Sequence, residues 1–170
     1  MDPAVYAFGG LPAAGKSTLA RRLARKTGAV WIRIDTLEQG LRRAGVEDVG
    51  GHGYALAVEI GRDVLEVGGS IVVDCVNPCP STRRMWTNLA SDAAVRCFEV
   101  EIYCSDEAEH RRRVEQRRAD IEGLLLPTWA MVQARDYRPW PSDVRIDTAG
   151  TSVEHSLRSL LAALGSTPSR

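Results

Sequence analysis

The stretch GLPAAGKS, residues 10–17, decides the fold of this chain. It matches the pattern G-x-x-x-x-G-K-[ST] in full. The apolar run AVYAF (4–8) before it predicts a strand, and KSTLARRLARK (16–26) after it predicts a helix. A glycine-rich turn in this context directs successive backbone N–H groups, together with the positive end of the helix dipole, toward one anion. The stretch therefore predicts a cradle for a phosphate group.

This pattern is the signature of P-loop NTPases, and it assigns a role to each position. Gly10 and Gly15 permit the turn, Lys16 reaches the β- and γ-phosphates, Ser17 ligates Mg²⁺ and Thr18 contacts the α-phosphate. The other expected nucleotide contacts in the loop are Leu11, Pro12, Ala13 and Ala14. The N-K-x-D pattern typical of GTPases is absent, so the expected cofactors are ATP and Mg²⁺.

Alternating elements along the chain predict an α/β fold. Apolar, β-branched runs at 4–8, 29–34, 70–74, 95–103 and 143–147 suit strands that are covered on both faces. Helical patterns lie at 16–26, about 36–44, 53–67, about 81–91, 105–118 and 151–164. Strands joined by helices imply right-handed crossovers, a parallel sheet and three layers.

Two of the helices carry apolar stripes that predict their buried faces. The stripe of the third helix comprises Leu56, Ile60, Val64 and Val67, and that of the last helix comprises Leu157, Leu160, Leu161 and Leu164. The segment 119–141 interrupts the alternation and predicts either a lid or a core helix with a long approach.

Composition limits the classes of function. The 22 basic and 22 acidic residues give a formal net charge of zero, which argues against affinity dominated by a nucleic-acid backbone. We expect no membrane span, a cytoplasmic location, and buried cysteines that act as small hydrophobic residues. His52, His110 and His155 share no motif and are expected at the surface.

The blocks GGLPAAGKST, RIDTLEQGLR and IVVDCVNPCPSTRR, followed by an arginine-rich helix, resemble the small P-loop kinases. That group includes chloramphenicol phosphotransferase and the kinase domain of phage-type polynucleotide kinase, with an ATP-binding domain of the AAA_33 type. The resemblance implies a five-stranded parallel sheet in the order 2-3-1-4-5. It also implies one domain over 1–165, a lid over about 111–138 and a flexible tail at 166–170.

Asp35 allows two interpretations. With Glu38 three residues later, it matches a capping box at a helix start. It also lies at the carboxyl end of the second strand, where ligands of a parallel sheet bind. In the resembling kinases an aspartate at this position takes the proton from the acceptor hydroxyl, which makes Asp35 the candidate general base.

Further candidates follow the third strand. Asp74 ends that strand and is expected to hold a Mg²⁺-bound water or the substrate, unless it is a plain turn residue. The block VVDCVNP with Arg83 and Arg84 echoes polynucleotide kinases, which makes Asn77 and Arg83 candidate substrate contacts.

Arginines supply the remaining candidates. Arg113 and Arg117 share a face of the fifth helix and are expected to clamp phosphate or stack on adenine, with Arg118 next in rank. The alternative is a solvated, ion-paired helix face. Arg42 either binds an anionic group of the acceptor or faces solvent. By resemblance, the adenine base lies against the loop of Thr148, Ala149 and Gly150.

Three functions stay open at the level of the sequence. The leading one is an ATP-dependent kinase that phosphorylates a hydroxyl of a small molecule, such as an antibiotic, a nucleoside or a sugar-like compound. The second is a 5′-hydroxyl nucleic-acid kinase, which would need a basic channel. The third is a nucleotide-dependent switch without a small acceptor. No sequence pattern indicates the oligomeric state.

Overall fold

The computed structural model describes residues 2–166. The strands are β1 Ala4–Gly9, β2 Val30–Arg33, β3 Ile71–Asp74, β4 Arg96–Tyr103 and β5 Val144–Asp147. The helices are α1 Lys16–Thr27, α2 Ile34–Arg43, α3 His52–Glu66, α4 Pro80–Asp92, α5 Glu107–Gln116, α6 Trp129–Gln133 and α7 Val153–Ser166. Of the predicted tail, Ser166 belongs to α7, and 167–170 lie outside the described residues.

All five strands form one parallel sheet in the order β2-β3-β1-β4-β5, which confirms the predicted fold. The register aligns Phe8 with Asp74 and Arg33 with Asp74. Because parallel strands end at the same edge, the loop after β1, the start of α2 and the loop after β3 meet there. Among residues 2–166, no helix combines the length and apolar character that crossing a bilayer requires.

Helices cover both faces of the sheet, and the alternation of β1 shows how. Tyr6 and Phe8 pack in one cluster with side chains of α1 and α7, whereas Val5 and Ala7 pack in a second cluster with side chains of α3 and α4. This period of two is that of a strand buried on both sides. The stripe predicted for α7 packs against the first of these clusters, and its Leu160 is fully buried.

The buried face predicted for α3 is wrong by one position. Its buried residues are Gly53, Ala57, Gly61 and Leu65, whereas Leu56, Ile60 and Val67 are exposed and Val64 is partly buried. A Cβ at Gly61 would lie 2.9 Å from side-chain atoms of both Ile71 and Leu89. The helix backbone therefore lies close to its neighbours, and only small residues fit between them.

Candidate active site

The loop between β1 and α1 adopts the cradle geometry that its glycines allow. Gly10 has a φ of 141°, and a Cβ there would lie 2.0 Å from the Ile102 carbonyl oxygen. Its N–H donates to Val76 O at 3.0 Å, which joins the loop to the chain after β3. Gly15, with a φ of 102°, is the residue before α1. The first-turn N–H groups of α1 that follow it have no acceptor within the helix and suit an anion.

Lys16 lies over this cradle. Its Nζ donates to Leu11 O at 2.8 Å, and the residue is 8% exposed. Burial lowers the pKa of Lys16 to about 8, although the nearby Asp74 and Asp35 carboxylates act in the opposite direction. The Lys16 ammonium thus lies within the loop and donates to a backbone carbonyl. An anion bound in the cradle would be a stronger acceptor for it.

Asp74 is the buried carboxylate of the site, at 3% exposed. Burial raises its pKa, and the nearby Lys16, a hydrogen bond from Ser17 and the charge of Arg33 oppose that rise. Among residues 2–166 its Oδ2 has no hydrogen-bond partner, and it lies 3.9 Å from Arg33 Nε, which likewise has none there. A buried carboxylate that lines the cavity near the Ser17 hydroxyl and retains one unpaired oxygen fits a place for Mg²⁺ or a metal-bound water.

Asp35 lies in the first turn of α2 and not at its N-cap. Arg33 is the N-cap residue and no side chain caps the helix, so the capping-box interpretation of Asp35 and Glu38 is wrong. The Asp35 side chain is 44% exposed, and its Oδ2 lies 3.9 Å from Arg33 Nη2. Its carboxylate is therefore open to a ligand.

One cavity of about 990 Å³ brings these groups together. Its wall contains Lys16, Ser17, Asp35 and Asp74, and also Thr18, Pro12 and Ala13 from the loop. The apolar part of the wall includes Tyr54, Val76, Pro78, Leu124, Leu125, Leu126 and Pro127. We call residues 117–128, which join α5 to α6 and supply the last four of these side chains, the cover segment.

The predicted arginine pair reaches this cavity by a different geometry. Helix α5 ends at Gln116, and Arg117 has an extended backbone, so Arg113 and Arg117 do not share a helical face as predicted. Both nevertheless line the cavity, as do Arg118 and Arg42. The guanidinium of Arg113 donates to Thr148 Oγ1 at 2.7 Å, to Thr148 O at 2.8 Å and to Glu109 at 2.6 Å.

The loop after β5 is tied to the cradle through Thr148. Its Oγ1 lies 2.9 Å from Ala14 O and 3.0 Å from Tyr103 O, and Thr148 lines the cavity. The N–H of Gly150 donates to Glu109, so this backbone donor is already used. Five predicted nucleotide contacts lie outside the cavity wall: Gly10, Leu11, Ala14, Ala149 and Gly150.

Asn77 and Arg83 do not line the cavity, which contradicts their prediction as substrate contacts. Asn77 is fully buried, donates from Nδ2 to Phe8 O and accepts from Trp86 Nε1 at 3.1 Å. Arg83 is 5% exposed and donates to the carbonyl oxygens of four residues, Asn77, Pro78, Arg138 and Pro139. Because both side chains are satisfied within the protein, they hold the backbone after β3 in place.

The sequence patterns did not identify several residues at or near the site. Arg33 and Asp120 form a bidentate pair, at 2.8 and 3.0 Å, at the cavity wall. His110 is buried and contacts Pro12 O through Nε2 at 2.8 Å, so its predicted surface location is wrong. The position of Arg33, a charged residue at the end of the apolar stretch VWI, was a signal in the sequence, whereas no pattern pointed to Asp120.

A parallel sheet with a glycine cradle after β1 and a lysine and serine at the start of α1 defines a P-loop domain. Residues 5–134 match the family model described as AAA domain, and the chain belongs to this family, AAA_33. No curated protein sequence matches the chain.

Solved structures share the fold. Mycobacterium tuberculosis APS kinase CysC, in complex with AMPPNP and APS, matches with a TM-score of 0.64 and 21% identity, over 97% of this chain and 99% of that one. A gluconokinase from Sinorhizobium meliloti 1021 matches with a TM-score of 0.66 and 20% identity, over 96% and 92%. Chaetomium thermophilum Kti12 in complex with ADP-AlF3 matches with a TM-score of 0.71 and 18% identity, over 97% and 100%. At these identities the likeness shows a P-loop kinase-like fold.

Proposed function

We propose that the protein is an ATP-dependent kinase that transfers the γ-phosphoryl group to a hydroxyl of a small molecule. The observation that carries the proposal is the placement of Lys16, Ser17, Asp35 and Asp74 around one cavity. Lys16 and Ser17 belong to the nucleotide side, whereas Asp35 lies across the cavity on α2 with an exposed carboxylate. A carboxylate opposite a phosphate cradle suits a general base.

In the proposed reaction, the bond from the γ-phosphorus to the ADP oxygen breaks and a bond to the acceptor oxygen forms. Asp35 takes the proton of the acceptor hydroxyl. Lys16 stabilises the charge on the transferring group, and Arg117 is positioned at the cavity wall to do the same. Mg²⁺, when bound with the nucleotide at Ser17 and Asp74, supplies further charge neutralisation.

The acceptor side of the cavity favours a neutral, partly apolar alcohol. Arg42 lies 3.7 Å from Glu38, and Arg33 is paired with Asp120, so carboxylates offset two of its cations. Tyr54 and the leucines of the cover segment offer apolar surface to the body of a substrate. A nucleic-acid strand binds chiefly by neutralisation of its phosphates, and the formal net charge of zero offers little of it.

The direct test is incubation with Mg·ATP and a panel of acceptors, followed by mass spectrometry for an added phosphoryl group. We expect transfer to one class of neutral hydroxyl compound, and none to 5′-hydroxyl oligonucleotides. Slow ATP hydrolysis with every acceptor unmodified would instead support a nucleotide-dependent switch. Modification of the oligonucleotides would support the nucleic-acid kinase.

Asp35→Asn tests the assignment of the base. We expect the transfer rate to fall by about 10²- to 10⁴-fold, the usual contribution of a general base, with the affinity for ATP unchanged. Asp63→Asn is the matched control, because Asp63 is an exposed aspartate of α3 that does not line the cavity. An Asp35→Asn variant that folds and transfers phosphate at the wild-type rate would remove Asp35 from the mechanism.

A further inference from the structure

Arg33 occupies an unusual position among three carboxylates. It ends β2, its side chain is 6% exposed, and it lies within 3.9 Å of oxygens of Asp35, Asp74 and Asp120. Only Asp120 is at hydrogen-bond distance, through two contacts of 2.8 and 3.0 Å. At 3.9 Å, the other two carboxylates make no hydrogen bond to the guanidinium.

The three carboxylates differ in what holds them. Asp74 ends β3 and Asp35 lies in the first turn of α2, so both are fixed by regular structure. Asp120 belongs to the irregular cover segment, 87 residues from Arg33 along the chain, and its side chain is 58% exposed. Of the three, Asp120 is therefore the partner that can leave when the cover segment moves.

Departure of Asp120 would leave a buried guanidinium without its partner, which is energetically costly. A contact between Arg33 Nε and Asp74 Oδ2 can offset that cost, because the two atoms lie 3.9 Å apart and neither has a hydrogen-bond partner within the described part of the chain. A shift of about 1 Å would bring them to hydrogen-bond distance. The Asp74 carboxylate would then be paired with Arg33, and its charge would be less available to Mg²⁺.

We propose that Arg33 is a positioning residue that Asp120 holds away from Asp74, so that the Asp74 carboxylate is free of Arg33 and able to hold the metal only when the cover segment lies on the cavity. This inference rests on the proposed site for Mg-nucleotide, and it adds a link between the cover segment and that site. With Asp120 bound, the guanidinium is held toward the cover segment. Without it, Arg33 turns to Asp74 and competes with the cation that accompanies the nucleotide.

The test compares the affinity for ADP with and without Mg²⁺ by titration calorimetry, in a set of matched variants. For Asp120→Asn we expect the Mg·ADP affinity to fall about tenfold, within the range of couplings measured in salt-bridge networks. The affinity for ADP without Mg²⁺ should stay within about twofold of the wild-type value, because Arg33 competes only with the metal ion at Asp74. Asp136→Asn, which alters an exposed aspartate paired with Arg138, should change neither value.

The double variant Arg33→Met/Asp120→Asn separates this mechanism from a simple loss of attachment. Without the guanidinium, the side chain at position 33 can no longer pair with Asp74 in place of the metal ion. The affinity for Mg·ADP should therefore return to the wild-type value. Tryptic cleavage after Arg117 and Arg118 should be faster than wild type in both the single and the double variant, since each frees the cover segment. Arg33→Gln/Asp120→Asn serves the same comparison if the Met variant does not fold.

Two results would overturn the inference: wild-type Mg·ADP affinity in Asp120→Asn, or a double variant that binds Mg·ADP as weakly as Asp120→Asn. The second result would mean that Asp120 acts only by attaching the cover segment. None of these measurements uses an acceptor. A failure to find a phosphorylated acceptor would therefore count against the kinase proposal alone.

Discussion

The lowered pKa of Lys16 predicts that nucleotide binding takes up a proton in alkaline solution. In the free protein the pKa is lowered to about 8, chiefly by burial. A polyphosphate in the cradle would favour the charged ammonium and raise that pKa. Above pH 8, binding must therefore add a proton to Lys16, and the affinity must fall as the pH rises.

The size of the effect follows from the titration of one group. With a pKa of about 8, Lys16 in the free protein is about 9% neutral at pH 7 and about 91% neutral at pH 9. Binding should then take up about 0.1 proton at pH 7 and about 0.9 at pH 9, with about a tenfold loss of affinity between them. The second pKa of a phosphate is near 6, so the nucleotide itself contributes little at pH 8 and above.

Calorimetric titration with ADP in two buffers of different ionisation enthalpy measures the protons directly. Lys16→Arg is the control, because a guanidinium stays charged across this range and should show no uptake at pH 9. An affinity that is flat from pH 7 to 9, with no proton uptake in the wild type, would refute the reasoning. It would show that Lys16 is already fully charged in the free protein.

Three further predictions concern stability and can be measured by urea denaturation. Gly10→Ala should lower the free energy of unfolding by about 3 kcal/mol or more, because its φ is 141° and its Cβ would meet a carbonyl oxygen. Asn77→Ala should cost about 1–3 kcal/mol by leaving the indole N–H of Trp86 unpaired, with nucleotide affinity unchanged; a loss of affinity would return Asn77 to the site. Leu65→Ala should cost about 2 kcal/mol or more, and Leu56→Ala about 0.5 kcal/mol or less, with the reverse order contradicting the observed face of α3.

Features determined by neighbouring residues were predictable from the sequence. The cradle of residues 10–17 is one such feature, because its turn, its lysine and its helix start are encoded within eight positions. The sheet order followed from the resemblance carried by such blocks. The face of α3 was not predictable in this way: its inner positions are Gly53, Ala57 and Gly61, and small residues carry no hydrophobic signal even when they are the ones that pack closely.

Several errors in the site have a common physical origin, since they concern polar side chains whose partners are distant along the chain. The errors at Asp35 and Arg117 concern instead where α2 begins and where α5 ends. Arg83 contacts the backbone of 138 and 139, about 55 positions away, and Arg33 contacts Asp120, 87 positions away. Asp74 and Asn77 lie only three residues apart after the same strand and are both buried. Asn77 has partners for its amide, whereas Asp74 lines the cavity and retains one oxygen without a hydrogen-bond partner among residues 2–166. A buried polar atom without a partner lowers stability, so the unpaired oxygen of Asp74 is a physical reason to assign a function to that residue. Asn77, whose amide is fully bonded, is assigned a structural role.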